Sequence, residues 1–447
     1  MNPKLLPLAA TNYATQLARD PGAFASKVST RLRGQPLDRP PSPDHKPRDF
    51  RIPILPSPSG GTPETVLHVL TNSLPHSTGG YAIRSHEILK AQRNAGISPS
   101  AITRLGYPVN VGKFPQGAFE LVDDLRYTRA LPTVFPVTFP AQVREHAKWI
   151  AREARERGAT ILHTTTPWPN AAATSLAAKQ LNIPWIYEVR GEPEATWAAH
   201  QPAESHPEST EYFRLSRSKE EEAMRAAAGV VALSETSAAS LRSRGIPGPI
   251  VVAPNAVAPD WASKRIPAGL ARKQLGLEPR RYVGAVSSIV EYEGFDDLIL
   301  ALHHLPQDVA VLLVGDGTHL PALRDLAERE GLSGRVVFTG RQPADAIAPY
   351  YSALDVFVAP RRDLLVTRTV TPMKTLQAHA FGIPIVVSDL PALREVTRGG
   401  ARYAPPGEPK ALAAAIHGAL EGKAMLTPQL PSWADVARVY RDLYAGV

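Results

Sequence analysis

The sequence predicts an α/β protein built as two doubly wound, Rossmann-like domains that face each other across a cleft. Three observations carry this reading. The chain has 447 residues, too many for one ordinary core. From Thr65 onward, short β-rich apolar runs alternate with helical stretches, the rhythm of a parallel sheet covered on both faces. That rhythm breaks after Pro254-Asn255, passes through a Pro- and Gly-containing stretch at Pro259–Gly269, and begins again at Tyr282.

Residues 1–60 differ in kind. A possible amphipathic segment around Leu5–Leu32 carries Arg19, Lys27, Arg31 and Arg33, and a Pro-rich run from Pro36 to Pro58 follows, so this part reads as a basic tail plus linker. The first domain then offers strands at Val66–Leu70, Ile161–His163, Trp185–Val189, Val230–Leu233 and Ile250–Ala253. Helices are expected at Tyr81–Asn94, Pro140–Arg157, Ala171–Leu181 and Glu211–Ala228. The second domain offers strands at Tyr282–Val286, Val309–Val314, Val336–Thr339, Val356–Ala359 and Ile385–Ser388. A short helix before the last of these has both ends marked: Thr371 suits the N-cap, Pro372 the first helical position and Gly382 the left-handed stop.

Composition narrows the function classes. With no cysteine there are no disulfides, no thiolate metal sites and no cysteine nucleophile. A net charge of +8 suits an anionic partner. No window approaches the roughly 20 apolar residues of a membrane span and no secretory signal opens the chain, so a cytoplasmic protein is expected, with possible peripheral contact on an anionic membrane. No Lys/Arg stripe or nucleic-acid module stands out, so no nucleic-acid partner is expected, and no metal-ligand cluster is visible.

In doubly wound sheets ligands bind beyond the carboxyl ends of the strands. The motifs share that address. Gly79-Gly80 follows the first strand and opens a helix, where the missing Cβ atoms let a ligand approach the backbone. Gly315-x-Gly317 follows a strand of the second domain, but Leu320 replaces the third glycine of a dinucleotide fingerprint, which weakens a nicotinamide reading. The helix after Thr371 presents free N–H groups and its positive dipole end, with Lys374 one turn in, so a nucleotide diphosphate is the expected guest.

These residues, with Glu188-Val189-Arg190-Gly191, Glu291-Tyr292-Glu293-Gly294 and Gly382-Ile383-Pro384-Ile385-Val386-Val387-Ser388-Asp389, make the chain resemble glycosyltransferase family 4, retaining enzymes of the GT-B fold. The resemblance covers most of the chain beyond residue 60. It implies an N-terminal acceptor-side domain over 61–257, a nucleotide-sugar domain over 258–430, and a last helix over 431–447 that crosses back to the first. It also implies transfer of a sugar from a UDP- or GDP-sugar to a hydroxyl of a lipid-linked or cell-surface glycan, with retention, no metal and no further cofactor. A sugar-nucleotide epimerase and a catalytically silent partner in glycan assembly are the alternatives.

The resemblance distributes roles among residues. His163, Arg190 and Lys374 are the catalytic candidates. Gly79, Gly80, Arg361, Arg362, Thr371 and Lys374 would hold the diphosphate, Gly315, Gly317, Gln377, Thr369 and Ser288 the nucleotide and sugar, and Arg84, Trp168 and Arg190 the acceptor. Two departures stand out. Thr369 and Gln377 occupy the family's E-x7-E positions, and Ser288 and Glu293 replace the Arg and Lys of its G-R-x4-K segment, which shifts the diphosphate load to Lys374 and the arginines. His76 in the glycine loop, Glu235, and the aromatic residues Tyr107, Trp185 and Trp197 could serve the site or simply the scaffold.

Overall fold

The computed structural model describes residues 5–19, 50–54, 65–202, 205–422 and 428–447. Its chain divides into two compact units. The first takes the described residues up to Pro254 together with Trp433–Val447, and the second runs from Asn255 to Ser432.

The first unit carries an eight-stranded sheet. Its strands are β1 (Thr65–Leu70), β2 (Ser98–Thr103), β3 (Phe119–Val122), β4 (Leu125–Thr128), β5 (Ile161–Thr165), β6 (Trp185–Val189), β7 (Gly229–Ala232) and β8 (Ile250–Val252). They lie in the order β3-β4-β2-β1-β5-β6-β7-β8, parallel except for the β3–β4 hairpin. That hairpin turns on Asp123 and Asp124, both in the left-handed region, which gives the twist a two-residue hairpin loop needs. Chain order reverses at β1, whose neighbours are β2 and β5, so the crevice of this sheet lies at the end of β1. Strands β1 and β6, apolar apart from Thr65, His68 and Glu188, are buried on both faces, as a parallel sheet under helices requires.

Two stretches expected in the tail belong to this unit instead. The helix Leu6–Arg19 buries Leu8, Ala9, Asn12 and Thr15, and its Thr11 hydroxyl accepts from the Phe135 amide at 3.0 Å. Ile52 is buried and its amide donates to Glu222 at 2.6 Å. The apolar face of the helix and Ile52 found core to bury, which outweighed their polar, Pro-rich neighbourhood. Lys27, Arg31, Arg33 and the Pro-rich run through Pro47 lie outside the described residues.

The second unit holds a six-stranded, all-parallel sheet: β9 (Arg281–Val286), β10 (Val309–Val314), β11 (Val336–Phe338), β12 (Val356–Ala359), β13 (Ile385–Ser388) and β14 (Arg402–Ala404), ordered β11-β10-β9-β12-β13-β14. Here chain order reverses at β9, between β10 and β12. The final helix, Trp433–Ala445, packs in the first unit against the helix Gly80–Asn94. No helix among the described residues is long and apolar enough to cross a membrane.

Candidate functional site

In the second unit, the reversal of the sheet brings three segments together beyond β9 and β12. Ser287 leaves β9, and the chain passes directly against the Gly315-Asp316-Gly317 loop. The Ile289 amide donates to the Asp316 carbonyl at 3.0 Å, and the Ile289 carbonyl accepts from the His319 amide at 3.0 Å. A Cβ on Gly315 would lie 1.8 Å from the Ser287 carbonyl oxygen, and one on Gly317 would lie 2.1 Å from that of Ile289. The two glycines therefore admit the protein's own backbone on the side where a Cβ would stand.

The turn Glu291–Glu293 follows and ends at Gly294, whose φ of +70° and missing Cβ let it meet the Pro360 carbonyl; a Cβ there would sit 2.0 Å from that oxygen. The Arg362 amide donates to the Tyr292 carbonyl at 3.0 Å. Side chains repeat this clip. Arg361 is buried and gives Nη2 to Glu293 Oε1 at 2.8 Å, Nε to Oε2 at 3.1 Å and Nη1 to the Val370 carbonyl at 3.0 Å. Arg362 pairs with Asp296 at 2.7 Å, which also takes His319 at 2.6 Å. Arg361 was expected to face the diphosphate; three of its five N–H donors instead go to Glu293 and the backbone, because an acid stands in the neighbouring turn.

The helix beyond runs Met373–Ala380, with Pro372 as its N-cap in extended geometry, φ −81° and ψ 133°. Thr371 is buried and precedes the N-cap, so neither it nor Pro372 has the place expected from sequence; the helix begins one residue later. Gly382 does adopt the left-handed stop, φ +63°. Lys374, half-buried in the first helical turn, has neither an ion pair nor a hydrogen bond among the described residues. Burial lowers its pKa, Glu293 raises it, and Arg361 lowers it, with a net shift downward. Glu293 is held below its ordinary value: burial alone would raise it, but Arg361 and Lys374 outweigh that. Two buried hydroxyls in this region, Ser287 Oγ and Thr375 Oγ1, also have no hydrogen-bond partner.

Gln377 is half-buried, and its Oε1 accepts from Tyr351 at 2.9 Å, so the tyrosine takes one of the two lone pairs of a carbonyl expected on the nucleotide side. Thr369 is buried and donates to the Leu365 carbonyl at 3.1 Å, whereas Ser288 is exposed. A cation one turn into a helix, unpartnered hydroxyls and free amides form an arrangement suited to a phosphate oxyanion. Among the described residues no group of three or more His, Asp or Glu could hold a metal ion.

In the first unit, Gly79 and Gly80 are exposed at the end of β1, where Gly79 caps the helix Gly80–Asn94 and no atom crowds the position of its absent Cβ. The other candidates lie deeper. Glu188, with no exposed surface, accepts from Arg84 Nε at 2.7 Å and Arg190 Nη2 at 2.8 Å, and His163 Nε2 lies 3.3 Å from the same carboxylate. Arg84 continues to the Ala253 carbonyl at 2.7 Å and the Tyr440 hydroxyl at 3.1 Å. Arg190 reaches the Tyr81 carbonyl at 2.9 Å and Ser85 Oγ at 2.6 Å. His163 Nδ1 meets the Tyr444 hydroxyl at 2.5 Å, and its ring stacks on His68 at 4.7 Å.

Burial would raise the Glu188 carboxyl, but Arg190 and Arg84 hold it well below the ordinary range. Burial pushes His163 down, and it pushes His68 down to about 3 with help from His163, so both rings are neutral. His163, Arg84 and Arg190 were expected to face substrate. They lie in a buried network around Glu188 instead, in which Arg190 Nε and His163 Nε2 make no hydrogen bond. Trp168 is likewise core, 5.1 Å from Phe139. His76 stands nearer the surface, its Nε2 2.8 Å from Glu120, a carboxylate shared with Arg129. Glu293 and Glu188, the acids that organise the two clusters, enter the sequence reading only as members of motif segments, Glu293 as a replacement for a lysine, and neither was given a role there. An acid next to paired basic motifs is the signal that could have found them.

Two family models match the chain: a glycosyl transferase 4-like domain over residues 79–256 and glycosyl transferases group 1 over residues 280–422. The lipopolysaccharide core biosynthesis mannosyltransferase LpsB of Rhizobium meliloti is 35% identical over 139 residues, 29% of this chain and 38% of that protein. The match thus spans well under half the length of that relative. Among solved structures, sucrose-phosphate synthase of Thermosynechococcus elongatus aligns with a TM-score of 0.64 at 19% identity, over 86% of this chain and 94% of that one. HepE of Anabaena, solved in complex with UDP and glucose, aligns with a TM-score of 0.62 at 19% identity, over 85% and 95%. These likenesses are to the fold.

Proposed function

The chain belongs to the GT4-like glycosyltransferases of GT-B fold, and from that premise we propose that it transfers a sugar from a UDP- or GDP-sugar to a hydroxyl acceptor with retention of configuration. The observation that carries the reading is Lys374, an unpartnered ammonium in the first turn of the Met373–Ala380 helix. Departure of the nucleotide diphosphate leaves negative charge on its phosphate oxygens. Lys374 and the free amides of that turn stabilise this charge, and one such contact contributes about 2.7–4 kcal/mol in comparable oxyanion sites. Ser288, exposed beyond β9, lies on the donor side of the same reading. The exposed Gly79-Gly80 loop remains a diphosphate-binding candidate, and the acceptor is a lipid-linked or cell-surface glycan, in keeping with the lipopolysaccharide pathway in LpsB's name.

Thermal unfolding with UDP, GDP and their sugars tests this. A nucleotide at about 100 times its Kd should add roughly 2.7 kcal/mol of stability, and Lys374→Ala should abolish the gain. If no nucleotide stabilises the wild-type protein, the reading fails. A catalytically silent partner in glycan assembly is the second reading. Gln377 in place of an acid, with its carbonyl accepting from Tyr351, favours it. Binding without any donor turnover would select it.

A further inference from the structure

The reversal point of the second sheet holds one carboxylate and two cations close enough to act on one another, and the contacts are unequal. Arg361 is held on three sides: two donors go to Glu293 and one to the Val370 carbonyl. Lys374 makes no such contact among the described residues. Glu293 is itself buried, and the backbone on either side of it is held, with Gly294 pressed against Pro360 and the Tyr292 carbonyl bonded to Arg362.

We propose that Glu293 is a positioning residue for the phosphate site: its carboxylate pins Arg361 into the loop scaffold and supplies the counter-charge beside which the Lys374 ammonium stays free for a phosphate oxyanion. The inference rests on the donor-site reading above and assigns unequal work to the two cations. Arg361 holds Val370, just ahead of the Met373–Ala380 helix, and Lys374 alone meets the ligand. The net charge of the three groups is one positive unit, so a phosphate enters an attractive site without having to displace a buried ion pair.

Other charged groups on the surrounding elements are engaged elsewhere. Arg362 is tied to Asp296, Arg368 to Asp363 and Arg394 to Asp389. The groups that act on Lys374 are Glu293, which favours its charged form, and Arg361, which opposes it.

The test is to titrate the Lys374 side chain by NMR in the ligand-free protein, wild type against Glu293→Gln, and to measure UDP and GDP affinity from neutral pH upward in both. Loss of the carboxylate should lower the Lys374 midpoint by about one pH unit, and the alkaline loss of nucleotide affinity should move down with it. Glu293→Asp should restore the wild-type titration. If Glu293→Gln does not fold, Lys374→Met gives the reciprocal measurement, in which Glu293 must titrate at higher pH. An unchanged Lys374 midpoint overturns the inference even if nucleotides bind. So does a shifted midpoint that nucleotide affinity does not follow, which would make Glu293 purely structural. Absence of UDP and GDP binding by the wild-type protein overturns the donor reading and this inference together.

Discussion

Replacing Glu188 by alanine removes the carboxylate between two buried guanidinium groups. Arg84 is 1% exposed and Arg190 3% exposed, so neither can turn to water. Breaking a buried pair from one side usually costs 3–5 kcal/mol, because the remaining charge is left uncompensated. Here two cations are orphaned, but each keeps other acceptors: Arg84 the Ala253 and Pro254 carbonyls, and Arg190 the Tyr81 carbonyl and Ser85. Those contacts place the expected loss near the low end, about 3 kcal/mol, a large part of the 5–15 kcal/mol typical of a domain. Urea unfolding followed by tryptophan fluorescence suits the measurement. Of the six tryptophans, Trp149, Trp168, Trp185, Trp197 and Trp433 belong to the first unit, so the signal reports mainly on it. Glu188→Gln, which keeps the shape and one acceptor oxygen, should lose less. Hydrogen exchange should also quicken in Trp433–Ala445, since Arg84 grips Tyr440 from the same cluster. A loss below about 1 kcal/mol for Glu188→Ala would refute the reasoning, because that is no more than a surface ion pair contributes.

Two further outcomes follow from geometry already given. Gly294→Ala should destabilise the second unit by at least 1–3 kcal/mol, as a strained left-handed residue does, and the clash with the Pro360 carbonyl adds to this; an unchanged Trp261 unfolding midpoint would contradict it. Acid should weaken the first unit early. His68 falls from an ordinary 6.5 to about 3 in the fold, so the unfolded chain binds its proton first, and the stability present above pH 6.5 drains as pH falls toward 3. The depressed Glu188 carboxyl adds a second loss below its ordinary value of 4.5. Urea midpoints independent of pH between 7 and 4 would rule this out.

The fold class was legible because buried parallel strands are written as mainly apolar runs, and Ile161, Trp185, Val309 and Ile385 each begin one. Strands lacking that signature escaped. β2 contains Pro99 and two serines, the β3–β4 hairpin turns on aspartates without a glycine, and β14 is only three residues long. The site was legible as an address more than as a set of roles. A polar residue at a strand end is equally suited to a ligand or to a buried partner, and what decides is contributed from afar: Tyr444 lies 281 residues from His163, and Glu188 lies 104 from Arg84. Lys374 differs because it has no hydrogen bond or ion pair among the described residues. Thr371 and Pro372 misled by one position: the helix starts at Met373 with Pro372 as its extended N-cap.

The return of Trp433–Ala445 to the first unit makes the second unit an insertion, and this sets an order of events during synthesis. Residues 65–254 leave the ribosome with Arg84, Gln92 and His163 lacking the Tyr440 and Tyr444 hydroxyls that complete them. Those hydroxyls arrive only after the whole second unit has been made. The nascent first unit is therefore an incomplete body that must wait for the last few turns of helix, and a stop codon just before Trp433 would injure the part of the protein made first while leaving the part made later whole.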